Sequence, residues 1–224
     1  MNKPQGWIFF DIDGTLLHTP GAGRAAFAQA FAEAFGWEQG VEHINFYGAT
    51  DLNVFRQICR ERGVEPNAEM ERAFFERLAP ALETRLTARP PVLFQGVEKI
   101  LERLSKEWKL GVITGNIETT ARAKLRHAGI DHYFSCGGFG CGHADRIEIA
   151  RHALEHAGLP ERAVLIGDTP SDINAAKANG MTAIAVATGG FTAEELEIAA
   201  ADFVLNDLTD TEKVLSILEN GVLE

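Results

Sequence analysis

Four short apolar runs, each stopping on an acid, a threonine or a glycine, constrain this chain more than any other feature. Trp7 to Phe10 stops at Asp11, and Lys109 to Ile113 stops at Thr114. Ala163 to Ile166 stops at Gly167 and Asp168, and Thr182 to Ala187 stops at Thr188, Gly189 and Gly190. Runs this short, mostly rich in Ile, Val or Phe, read as buried parallel strands. Helical patterns separate them. Gly96 to Trp108 carries Val97, Ile100, Leu101 and Leu104 on one face; Ile117–Ala128, Asp145–Ala157 and Ser171–Asn179 follow, the last with Gly180 placed to end it. Strands alternating with helices predict an α/β fold, a doubly wound parallel sheet. Such sheets bind ligands beyond the carboxyl ends of their strands, where Asp11, Thr114 and Asp168 would gather.

Residues 21–86 depart from this alternation. They hold helical stretches at Ala22–Phe35, Leu52–Glu61 and Ala68–Arg85, with no comparable strand. Phe27, Phe31, Phe35, Phe74 and Phe75 fall at helical spacing and read as the core of that segment. Ala88-Arg89-Pro90-Pro91 then reads as a linker. The expected organisation is a catalytic core of residues 1–20 and 87–224 with a small helical domain, 21–86, inserted after the first strand. A chain of 224 residues is long enough for both.

Composition removes several classes of function. Thirty-two acidic against 21 basic residues give a net charge of −11, with no Lys/Arg cluster, so no nucleic-acid partner is expected. No apolar run approaches the roughly 18 residues that cross a membrane, and the N-terminal apolar stretch is too short for a signal peptide. Cys59, Cys136 and Cys141 do not make a disulfide framework, so a cytoplasmic setting is expected. No feature sets an oligomeric state.

The chemistry sits at the strand ends. Asp11-Ile12-Asp13-Gly14-Thr15 puts two carboxylates two residues apart just past a strand, although Asp and Gly are also ordinary turn residues. Gly167-Asp168-Thr169-Pro170-Ser171-Asp172 adds two more. Carboxylates converging on one rim repel each other; Mg²⁺, a hard cation that takes oxygen ligands together with substrate phosphate, relieves that repulsion. Thr114-Gly115-Asn116 offers a hydroxyl and backbone N–H groups that suit a phosphate oxygen.

In these motifs the chain resembles the haloacid dehalogenase (HAD) superfamily over nearly its whole length. Asp11, Asp13, Gly14 and Thr15 match the family's first motif, Thr114 its second, and Gly167, Asp168 and Asp172 its fourth. The helical insertion looks like the C1 cap of phosphoglycolate-phosphatase-like members. The resemblance implies a phosphatase acting on a small phosphorylated metabolite. Asp11 would be the nucleophile that forms an aspartyl-phosphate, and Asp13 the general acid and base. Mg²⁺ would be held by Asp11, the backbone carbonyl of Asp13, and Asp168, with Asp172 close behind. Thr114 would bind a phosphoryl oxygen, with Gly14, Thr15, Gly115 and Asn116 around the phosphate. The family's third motif normally supplies a Lys. Here the best match is Arg146, 32 residues after Thr114 and 22 before Asp168, whose guanidinium can hold carboxylate and phosphate oxygens bidentately. Lys124 and Lys177 are weaker substitutes because both fall inside helix patterns.

Other readings compete. A hexose-phosphate mutase of the β-phosphoglucomutase type uses the same aspartyl-phosphate. Dehalogenases need neither Mg²⁺ nor an acid/base at position 13, and a non-catalytic phosphate-binding module needs no general acid. His152-Ala153-Leu154-Glu155-His156 spells a zinc-protease pattern, but the apolar face Ile147, Ala150, Leu154 and Ala157 leaves those three polar side chains solvated. Cys136, Cys141 and His143 read as buried thiols beside a histidine rather than a zinc site. Gly137 to Gly142 reads as a flexible loop by the site. In Gly48-Ala49-Thr50-Asp51, a stretch that resembles a motif of C1-capped phosphatases, Asp51 reads first as the N-cap of Leu52–Glu61 and second as a substrate-side residue.

Overall fold

The computed structural model describes residues 5–38, 40–143 and 145–220. Its elements in chain order are β1 (Trp7–Phe10), β2 (Leu17–His18), α1 (Ala22–Phe35), α2 (Asp51–Glu61), α3 (Ala68–Ala88), β3 (Val92–Leu93), α4 (Val97–Leu104) and β4 (Lys109–Ile113). There follow α5 (Glu118–His127), β5 (Cys136–Gly138), α6 (Arg146–His156), β6 (Ala163–Gly167), α7 (Pro170–Ala178), β7 (Thr182–Val186), α8 (Ala193–Ile198), β8 (Phe203–Leu205) and α9 (Thr211–Asn220).

Six strands form one sheet in the order β5-β4-β1-β6-β7-β8, with every pair parallel. Parallel neighbours need crossovers, and the helices supply them on both faces. Side chains of β1 alternate accordingly. Ile8 and Phe10 join Val97, Ile100, Leu101 and Leu104 of α4 and Val214 and Leu218 of α9 on one face. Trp7 and Phe9 join Ile149 and Ala153 of α6, Ile173 of α7 and Leu196 of α8 on the other. All four β1 residues are buried, each worth on the order of 2 kcal/mol of apolar transfer. The fold is therefore the doubly wound α/β sheet that the alternation implied.

Register places the site. Phe10 is level with Val112 of β4 and Ile166 of β6. Asp11, Thr114 and Asp168 thus emerge within a residue of one height at the point where the strand order reverses, the standard ligand crevice of such sheets.

The helices α1, α2 and α3 pack on one another around Phe27, Phe31, Phe55 and Phe74, with the Phe31 and Phe74 ring centroids 4.3 Å apart. Phe35 and Phe75 are only partly buried against this cluster. Two residues of α5, Ile117 just before it and Ala123 within it, complete the same apolar cluster. Helix α3 runs to Ala88, two residues past the expected end of the helical segment. The two-residue strands β2 and β3 pair antiparallel where the chain enters and leaves those helices. The glycine-rich stretch after Ser135 corrects an expectation: Cys136–Gly138 is the edge strand β5 rather than a flexible loop. Gly138 is needed there because a Cβ would lie 2.3 Å from the Ile149 carbonyl oxygen of α6. Among the described residues no helix is long and apolar enough to cross a membrane.

Candidate active site

Asp11 ends β1 with its main-chain N–H donating to Ile166 O at 2.9 Å, and its carboxylate is buried. Arg146, the first residue of α6, reaches under the sheet rim to meet it. Its Nη1 donates to Asp11 Oδ1 at 3.1 Å and to Ile113 O at 3.2 Å, while Nη2 lies 3.3 Å from Asp172 Oδ1. Arg146 is 6% exposed, so this guanidinium is part of the site's floor and not a surface charge. Asp145 caps α6 by accepting from Ile147 N at 2.9 Å, which fixes where Arg146 leaves the helix.

Asp168 and Asp172 complete the floor. Thr15 donates its hydroxyl to Asp168 Oδ1 at 3.0 Å, so Thr15 is fully enclosed behind the carboxylates rather than on the cavity wall. Asp168 Oδ2 is wedged between two glycines. A Cβ would lie 2.3 Å from it at Gly14 and 1.7 Å from it at Gly189. Thr188 donates to the Gly14 carbonyl and so ties the two glycine turns together. Asp172 is divided between two tasks. Its Oδ2 accepts from Thr169 N and Oγ1, at 3.2 and 2.7 Å, in a capping box that starts α7. Its Oδ1 turns toward Arg146.

Electrostatics follow from that crowding. Burial first, then the neighbouring Asp172 and Asp13, raise the Asp11 carboxyl above the usual range against the pull of Arg146. Burial, then Asp11 and Asp172, raise Asp168 likewise. Burial alone would lower Arg146, but Asp172 and Asp11 outweigh it and hold the guanidinium charged. Oxygens of Asp11, Asp168 and Asp172 all lie within 4.8 Å of one another, and this is the one such acid, His or Cys cluster among the described residues. Asp168 Oδ2 is buried with no hydrogen-bond donor, and Asp172 Oδ1, also buried, has only the ionic contact with Arg146 at 3.3 Å. Buried carboxylate oxygens this close together and short of donors are what a cation would satisfy, so this donor set fits a hard divalent metal.

Asp13 faces elsewhere. Its carboxylate accepts from Lys124 Nζ and from Asn116 Nδ2, the latter at 2.8 Å. Lys124 also donates to Asn116 Oδ1 at 2.7 Å, and Asn116 Nδ2 reaches Thr114 Oγ1 at 2.8 Å. The Lys124 side chain is 6% exposed and that of Asp13 41%, so the lysine backs a carboxylate that still opens to the cavity. A place inside a helix hides this role of Lys124 in the sequence; the face of α5 that carries Thr120 and Lys124 lines the cavity. Lys177, the other substitute, pairs with Asp202 at 2.7 Å on the exterior and takes no part.

Above this floor lies a cavity of about 560 Å³ lined by Asp11, Asp13, Gly14, Thr114, Gly115, Asn116, Arg146 and Asp168 below and by residues of α1, α2 and the 45–51 loop above. Thr50, not Asp51, is the N-cap of α2, accepting from Asn53 N at 3.2 Å. Asp51 lies one residue inside the helix and caps α5 instead: its Oδ2 accepts from Ile117 N at 2.9 Å and Thr120 Oγ1 at 3.3 Å. Its own N–H donates to Gly115 O at 2.8 Å. Burial, opposed by Lys124, pushes the Asp51 carboxyl up to about 6.

The discounted motifs stay apart from this site. His156 and Glu155 are exposed and His152 is one-third exposed, its ring tilted against that of His143 with 4.2 Å between centroids. The α6 face that is buried is Ile149, Ala150, Ala153 and Leu154; Ile147 and Ala157 are only partly covered. The thiols are not a buried pair: Cys141 is exposed and Cys136 partly buried, and all three cysteines are free.

Comparison with known proteins places this arrangement. Tyrosine-protein kinase PtkA of Mycobacterium tuberculosis is 32% identical over 122 residues, 52% of this chain, and the match spans 42% of that protein's length. A phosphoglycolate phosphatase of Synechococcus elongatus is 28% identical over 91% of this chain and 93% of its own. The crystal structure of a hydrolase from Pseudomonas syringae superposes with a TM-score of 0.73 at 26% identity, covering 95% of this chain and 98% of that one. Residues 8–186 match the family described as haloacid dehalogenase-like hydrolase, and this span holds every acidic residue of the floor together with Arg146. The chain belongs to the haloacid dehalogenase-like hydrolases.

Proposed function

We propose that this hydrolase is a Mg²⁺-dependent phosphatase that cleaves a small phosphate monoester through an aspartyl-phosphate on Asp11. The observation that carries this reading is the contact of buried Arg146 with Asp11 beneath a cavity into which a second carboxylate, Asp13, opens. Asp11, Asp168, Asp172 and the main-chain carbonyl of Asp13 would hold Mg²⁺, which offsets the repulsion of the incoming phosphate and polarises it. Arg146 occupies Asp11 Oδ1, which leaves the other carboxylate oxygen to attack phosphorus. The ester oxygen leaves as Asp13 gives it a proton. Asp13, now a carboxylate, takes a proton from water, whose oxygen attacks phosphorus and releases phosphate and Asp11. Thr114, Gly115 and Asn116 would bind phosphoryl oxygens. The helical segment would act as a cap that excludes bulk water, and free thiols agree with a cytoplasmic setting.

Phosphate release from p-nitrophenyl phosphate tests the reading. Release is expected with Mg²⁺, loss in EDTA and recovery on adding Mg²⁺ back, with Ca²⁺ a poor substitute. A folded, Mg²⁺-loaded protein that releases no phosphate refutes it.

A further inference from the structure

The charges on the cavity wall are already spoken for. Of its basic side chains, Arg146 is held by Asp11 and Asp172, and Lys124 by Asp13 and Asn116. Arg24, on α1, gives its guanidinium to the main-chain carbonyls of Val41, Glu42 and Ile44, the last at 2.8 Å, and so folds the loop before α2. His18, exposed at the mouth, has its ring against Phe94, 5.5 Å between centroids. Against Arg24, Lys124 and Arg146 the wall sets Asp11, Asp13, Asp51 and Asp168. A divalent cation and a phosphate dianion entering together leave that balance unchanged. Any further negative group on the substrate would enter a negative chamber whose arginines and lysine are all committed, with only the exposed His18 ring left to meet it among the described lining residues.

The roof supplies the opposite chemistry. Phe27, Phe46, Val54, Leu78 and Leu82 border the upper cavity, Phe46 partly open to it and the other four, at most 3% exposed, lying in the apolar cluster of the helices behind it. A volume of about 560 Å³ also exceeds what a phosphate bearing a two-carbon acid fills.

We propose that the preferred substrates are phosphate monoesters whose alcohol portion is uncharged and largely apolar, about the size of an aromatic ring or larger, and that esters carrying a second phosphate or a carboxylate are rejected. The proposal rests on the phosphatase reading and narrows it. Discrimination arises from repulsion and from desolvating an unpaired charge, not from a dedicated clash.

A matched pair of esters tests it. Benzyl phosphate and para-carboxybenzyl phosphate share the same benzylic leaving oxygen and differ by one remote carboxylate. With Mg²⁺ at neutral pH, kcat/KM for benzyl phosphate should exceed that of the carboxylated ester by at least about tenfold, mostly through KM, and should exceed phosphoglycolate by a similar margin. Comparable kcat/KM for the carboxylated ester or for phosphoglycolate overturns the proposal. So does failure to hydrolyse benzyl phosphate while p-nitrophenyl phosphate is hydrolysed. A protein inactive on p-nitrophenyl phosphate as well has lost the underlying phosphatase reading, and the substrate class falls with it.

Discussion

Asp11 and Asp51 are carboxylates on opposite walls of one cavity, burial raises the pKa of both, and they are held in different ways. Asp11, on the floor, is met by a guanidinium and crowded by Asp168 and Asp172. Asp51, on the roof, is met by one backbone N–H and one hydroxyl of α5, with no acid touching it. The floor thus concentrates negative charge that Arg146 offsets only in part and a bound cation would offset further, a costly arrangement that native structures keep where chemistry needs it. The roof uses neutral donors to fasten one set of helices to another. If that contrast is real, damage to the floor should show in turnover and damage to the roof in affinity and stability.

The sharpest break is Asp11→Asn. It keeps the volume and removes the nucleophile, so turnover should fall by at least about 10³-fold with circular dichroism unchanged. Residual activity above a few per cent in a folded variant would mean the floor is not the reacting centre. Arg146→Ala comes next. Steady-state kinetics should show kcat down about 10²-fold, roughly 3 kcal/mol, with Arg146→Lys recovering part of it because a point charge lacks the guanidinium fork. An unchanged kcat would reduce Arg146 to a structural tie. Lys124→Met should lower kcat by about tenfold through misplacement of Asp13 while the Mg²⁺ concentration for half-activity stays put. A shift in metal requirement instead would move Lys124 into the floor.

The smallest effect belongs to the roof. The pKa of Asp51 is raised to about 6 in the folded protein, so the folded state holds its proton more tightly than the unfolded chain does. Stability contributed by this group is therefore lost as pH rises through the carboxylate range to about 6 and is flat above. Asp51→Asn should change KM more than kcat. Its melting temperature relative to wild type should decline as pH is lowered from about 7 to about 5, because wild type then sheds the cost of a buried anion. A difference independent of pH would show that Asp51 carries no such penalty.

Much of the floor was legible because its residues are local to strand ends. Asp11 and Asp13 sit two apart, Asp168 and Asp172 four apart, and a parallel register then does the gathering. Arg146 could be found by its spacing from those motifs. Lys124 could not be weighed, because its part depends on which face of α5 meets the cavity, and packing against α3 decides that. Asp51 is legible as a helix-start residue, but local sequence points to α2 whereas the helix it caps is α5. Its partner lies 66 residues away, beyond any local pattern. Strand β5 was missed because Cys-Gly-Gly carries no alternation to read, and β8 because three residues are too short a run.

The bond between Asp51 and Ile117 also bears on the order in which the chain can fold. Helices α1 to α3 are mostly local in sequence and can assemble early, yet Ile117 and Ala123 belong to their apolar cluster. Helix α5, for its part, has no side-chain cap within its own turn and waits on Asp51. Each therefore finishes only when the other arrives, across a loop whose closure entropy has to be met before either contact rewards it. A fragment ending before β4 would lack the residues that seal its aromatic cluster and would expose them to aggregation, so the helices and the sheet should melt in one cooperative transition rather than two.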